Sequence, residues 1–120
     1  MNYWIAIGSV FGFLSVLLGA FGAHGLKNIL ISYDTVEIYN KAVLYQVFHT
    51  LALLIIGILE IISEKIFFIT GISFTFGIII FSGSLYILSI TNIKWLGAIT
   101  PIGGLCFIVG WISLFSMSIK

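Results

Sequence analysis

The sequence predicts an all-α integral membrane protein, a bundle of four transmembrane helices with antiparallel neighbours. Three observations lead there. Hydrophobic residues make up 61% of the 120 residues and charged ones 8%, against roughly 45–50% and roughly 25% in soluble domains. Four acids and five lysines cannot coat a small soluble fold, which has more surface than core. The mean hydropathy of +1.26 also excludes disorder, because disordered chains are polar and charged. Finally, the apolar residues fall into four stretches, each near the ~20 residues needed to cross a hydrocarbon core of roughly 30 Å.

The first stretch runs from about residue 3 to 23 without a charge. Gly8 and Gly12 make a GxxxG pair, and Ser15, Gly19 and Ala23 continue the small residues at four-residue spacing. Such a strip lets another helix approach closely, and packing inside the bundle is the simpler use than a homo-oligomer interface. The run is longer than a signal-peptide core and has no basic segment before it, so it reads as a retained helix.

The second stretch covers about 42–62, with Glu60 near its far end. Asp34 followed by Glu37 fits a variant of the capping box. That predicts one helix from near residue 34 to 62, roughly 40 Å long and longer than the bilayer requires. Ile29, Leu30 and Ile31 before it are expected on the membrane surface. Glu60 and Glu64 are expected to form a solvated corner. The third and fourth stretches cover about 66–90 and 95–119. In the fourth, Thr100 and Pro101 followed by Gly103 and Gly104 mark a helix break, because proline removes an amide donor and frees a carbonyl one turn earlier.

Four spans put both termini on one side of the membrane. The positive-inside rule ties, with the amino terminus, Lys65 and Lys120 on one face and Lys27, Lys41 and Lys94 on the other. The expected location is the cell membrane, as a multi-pass protein. A net charge of +1 without any arginine gives no basic surface for nucleic acid. Two histidines and one cysteine are too few and too scattered for a structural zinc site. No metal or other cofactor is expected. The bilayer is the one certain partner, with a second copy or another membrane protein open as a further one.

Four ordered segments carry a family resemblance: Gly19-Ala-Phe-Gly-Ala-His-Gly25, Tyr45-Gln46 with His49, Phe81-Ser-Gly-Ser-Leu-Tyr86, and Gly97-Ala-Ile-Thr-Pro-Ile-Gly-Gly104 with Gly110-Trp111. In this order and spacing the chain resembles domain-of-unknown-function family 423, small four-helix membrane proteins of bacteria with eukaryotic relatives. The resemblance implies a helical membrane protein of unassigned activity and supplies no mechanism.

The polar residues cluster toward the face holding the first and third connections, here called side B. His24 ends the first span there, and Gln46 and His49 enter the second from it. Ser82, Ser84 and Tyr86 close the third span, and Thr100 opens the fourth. His49 is expected to face the bundle interior, within hydrogen-bond or one-water reach of at least one of His24, Ser82, Ser84, Tyr86 or Thr100, since lipid offers no hydrogen bonds. Two functional readings follow. One is binding or transport of an ion or small solute through this cluster, with His49 as the titrating group, because intramembrane ionisable residues are costly without a role. The alternative is a non-catalytic scaffold or partner subunit whose polar residues serve packing. An enzyme is disfavoured: no carboxylate lies at that depth to orient the imidazole, and G-x-S-x-G is absent.

Overall fold

The structure, a computed structural model, describes residues 1–120. Helix α1 (Tyr3–Ala23) is followed by a short α2 (Lys27–Tyr33) and a long α3 (Val36–Ser63). The third span is compound: α4 (Phe68–Gly77), a π-helical segment (Ile78–Ser82) and α5 (Gly83–Thr91). A 3₁₀ turn (Lys94–Ala98) leads into α6 (Thr100–Ser118). Four helices, Tyr3–Ala23, Val36–Ser63, Phe68–Thr91 and Lys94–Ser118, are long and apolar enough to cross a membrane. The molecule measures 49 × 26 × 17 Å, so its long axis exceeds a hydrocarbon core of about 30 Å.

The start of α1 and the ends of α2, α3 and α5 have local causes. Asn2 caps α1, its Oδ1 accepting from the backbone N–H of Trp4 at 3.0 Å and of Ile5 at 3.1 Å. The chain reverses after α2, α3 and α5 through Asp34, Glu64 and Asn92, all left-handed with φ of 56°, 58° and 58°. This corrects the expected capping box. Asp34 ends α2, and Thr35 precedes α3 without a side-chain cap. The Thr35 hydroxyl instead donates to the Ser89 carbonyl at 2.7 Å, tying the start of α3 to α5. The length expectation fares better, since α3 has 28 residues, about 42 Å at the usual rise. In α2, Leu30 is buried while Ile29 and Ile31 are exposed.

Helix α1 packs on α3, α3 on the third span, and the third span on α6. Glycines allow these approaches. Gly8 faces Leu53 and Leu54, Gly12 faces Thr50 and Gly19 faces Val43, so the small-residue strip of α1 is turned to α3. Gly103 lies against the Phe81 backbone, where a Cβ would collide with it. The core gathers Trp4, Leu53, Ile56, Phe67, Phe74, Ile78 and Phe107.

Two further expectations change. The chain is irregular before Pro101, at the junction of the 3₁₀ turn with α6, and Pro101 occupies the first turn of α6. A missing N–H costs nothing there, because first-turn donors have no partner within the helix. Gly103 and Gly104 therefore do not break the helix; α6 runs through both. At the opposite face, Glu60 is no solvated corner. Its Oε1 accepts from Asn2 Nδ2 at 3.0 Å, and its Oε2 accepts from Trp4 Nε1 at 3.1 Å and the Phe67 N–H at 2.7 Å. One carboxylate thus ties α1, α3 and the segment leading into α4, while Glu64 remains exposed.

Candidate functional site

The side-B residues resolve into separate ties. The Tyr86 hydroxyl donates to Gln46 Oε1 at 2.5 Å, and Gln46 Nε2 donates to the Phe11 carbonyl at 3.1 Å, linking α5, α3 and α1. Ser82 donates to the Ala42 carbonyl at 2.7 Å. Ser84 and Thr100 share a hydrogen bond of 2.7 Å between α5 and α6. Tyr39, one turn above Ala42, donates its hydroxyl to the Leu18 carbonyl. These bonds join neighbouring helices where lipid would offer no partner. His24 stands apart, exposed in the turn after α1.

From Thr35 through Tyr39 and Gln46 to Thr50, the inner face of α3 carries a buried polar file. It ends at the Thr50 hydroxyl, which is buried without a hydrogen-bond partner. Beyond it lie Leu53, Ile56 and Phe74, each 0% exposed. Along α3 no polar side chain lies between Thr50 and Glu60, ten residues and about 15 Å apart, although Thr70 and Ser73 of α4 are buried at this level.

His49 takes another direction. Its Nδ1 lies 2.9 Å from the Tyr45 carbonyl, and its Nε2 accepts from the Trp111 indole N–H at 3.0 Å. A carbonyl only accepts and an indole only donates, so Nδ1 carries the single ring proton and the imidazole is neutral. The ring also stacks on Phe107 with centroids 3.6 Å apart and planes 6° apart. His49 is buried as expected, but none of His24, Ser82, Ser84, Tyr86 or Thr100 is its direct hydrogen-bond partner. The reason is rotation. Residues three apart on a helix differ by about 60° in azimuth, enough to turn Gln46 toward α1 and α5 and His49 toward α6.

His49 and Trp111 belong to a lateral groove of about 560 Å³ between α3 and α6. Tyr45 and Phe48 form the α3 wall, Gly104, Phe107 and Ile108 the α6 wall, and Phe81 at the π-helical segment lies between them. A π-helical turn widens the helix locally and often marks a functional position. Of the seven side-B residues, His49 alone lines this groove. Residue typing by polarity passed over Trp111, Phe107 and Tyr45. One signal was present: an indole N–H within a membrane span needs an acceptor, and His49 is one of few side chains able to supply it.

These features define a multi-helix membrane protein with internal polar ties and one lateral aromatic groove. The description "Protein of unknown function (DUF423)" matches residues 18–104, and the chain belongs to that family. It is 47% identical to a UPF0382 membrane protein of Staphylococcus saprophyticus over 95% of this chain and 94% of the relative. A UPF0382 membrane protein of Staphylococcus aureus is 47% identical over 100% of this chain and 98% of its own. One from Bacillus subtilis is 40% identical over the same shares, 100% and 98%. No solved structure matches the chain.

Proposed function

We propose that the chain is a non-catalytic scaffold or partner subunit of the cell membrane, its side-B polar residues serving as ties between helices. The observation that carries this reading is the Phe11–Gln46–Tyr86 link across three helices. Gln46 is 2% exposed and engages both ends of its amide, so it has little left for a solute. The neighbouring ties Ser82–Ala42 and Ser84–Thr100 support the same role. Against catalysis stands His49, whose two ring nitrogens are held by a carbonyl and an indole rather than by a carboxylate and a nucleophile.

Reconstitution into liposomes tests the reading. Vesicles carrying the protein should pass protons, potassium, chloride and small neutral solutes no faster than empty ones. A protein-dependent flux that falls in Gln46→Leu would overturn it and restore transport.

The binding half of the first reading keeps one specific support, in a different place from the side-B cluster. The groove between α3 and α6 has a concave aromatic wall and one polar pair, the usual make-up of a ligand site.

A further inference from the structure

We infer that the groove between α3 and α6 is a site for one anionic phospholipid. Its phosphate sits on the Lys41 ammonium and one acyl chain lies against Tyr45, Phe48 and Trp111. This goes beyond the scaffold reading and does not depend on it.

Helical spacing places the cation. Lys41, Leu44, Tyr45, Phe48 and His49 follow the i, i+3, i+4, i+7, i+8 pattern of a single helix face. The last four line the groove, so the exposed Lys41 stands on the same stripe at its side-B mouth. The apolar run of α3 begins at Ala42, which puts Lys41 at headgroup level. Its four-carbon stem lets the ammonium remain there. The groove residues of α3 lie about 4.5–12 Å deeper, the depth of acyl chains. Charge at the mouth and apolar walls below match a phospholipid in both chemistry and order. Glu37 is one turn further out on α3 and exposed, beyond the mouth on the water side.

The walls are shaped to stay open. The neighbouring glycines of α6 differ in what they face. Gly103 meets the Phe81 backbone, whereas a Cβ on Gly104 would have only the Phe81 ring edge at 4.0 Å. Internal packing therefore does not demand glycine at Gly104; a larger side chain would project into the groove instead. The volume of about 560 Å³ lies within the range of ligand sites, roughly 300–1,000 Å³. Leu44, Phe48 and Ile108 are 64%, 56% and 53% exposed, so a chain can enter sideways from the bilayer.

Native mass spectrometry of the full chain in detergent tests this. The protein is offered equimolar dioleoylphosphatidylglycerol and dioleoylphosphatidylcholine. The anionic lipid should form the more abundant single adduct by about fivefold, the factor expected for one lysine near an anionic surface. Lys41→Gln should bring the two adducts to parity, Lys41→Arg should keep the preference, and Lys94→Gln should leave it unchanged. Gly104→Phe, with its fold checked by circular dichroism, should reduce both adducts several-fold. The exposed Lys41 variants decide the matter alone if Gly104→Phe does not fold. Parity in the unmodified chain, or a preference that survives Lys41→Gln, would overturn the inference. So would a preference lost equally in Lys94→Gln, undiminished adducts in folded Gly104→Phe, or a lipid-free dimer covering the groove.

Discussion

Trp111 donates its indole N–H to His49 Nε2 at 3.0 Å, across the groove that separates α6 from α3. The bond fixes the imidazole tautomer and gives a tryptophan within the membrane span the acceptor that lipid lacks. It also joins two helices that meet through side chains, since α6 packs closely on the third span and not on α3.

The first prediction concerns that bond. Trp111→Phe keeps the aromatic wall but leaves His49 Nε2 without its donor. We expect a loss of about 1 kcal/mol, within the cost of an unmade buried hydrogen bond. A double-mutant cycle with His49→Phe, followed by unfolding in mixed micelles, should give a coupling of about 1 kcal/mol, inside the measured span for interhelical membrane bonds. Additive losses would mean that the two side chains do not interact.

A second prediction addresses the opposite face. Glu60→Ala removes the acceptor shared by Asn2, Trp4 and the Phe67 N–H. Hydrogen bonds to a charged group contribute about 1.5–3 kcal/mol each at most, and partial exposure lowers the sum. We expect a loss of about 2 kcal/mol together with a red shift in Trp4 emission as the indole moves toward water. Unchanged stability and emission would return Glu60 to the solvated corner that its sequence position suggests.

The third concerns the backbone. Glu64 holds φ at 58° with a Cβ, a conformation that costs most residues roughly 1–2 kcal/mol. Glu64→Gly should therefore stabilise the chain, by about 0.5–1 kcal/mol once the added freedom of the unfolded chain is counted. Asn92→Gly at the equivalent turn should gain less, because asparagine tolerates this region. Thermal unfolding of both variants in one detergent compares them directly.

The spans were legible because lipid imposes a simple rule on length and polarity, and the four stretches need only hydropathy to be seen. The glycine strip of α1 was legible for a similar reason, since four-residue spacing maps directly onto one helix face. Lateral contacts were not. Depth arithmetic put Gln46 and His49 at neighbouring levels, but the choice between α1 and α6 as partner rests on azimuth and on where each helix stands. Glu60 reads as a solvated corner because two of its three donors come from Asn2 and Trp4, more than fifty residues away in sequence. Asp34 misled in another way. It suits a helix N-cap and a left-handed C-cap alike, and the intervening α2 decided for the second. The π-helical segment has no sequence signature in Ile78–Ser82; it accompanies the close packing of Gly103 on Phe81 and Gly77 on Phe107.

The central claim is that the side-B polar residues bind helix to helix and do not line a water-filled path. Water access measures it most directly. Single cysteines are placed in a Cys106→Ala background as Gln46→Cys, Ser82→Cys, Ser84→Cys and, for the exposed control, His24→Cys. Each is treated in intact vesicles of either orientation with a membrane-impermeant, thiol-reactive cation. The account predicts rapid labelling at position 24 from side B and none at positions 46, 82 and 84 from either side. Labelling of those three at rates approaching that of position 24 would contradict it.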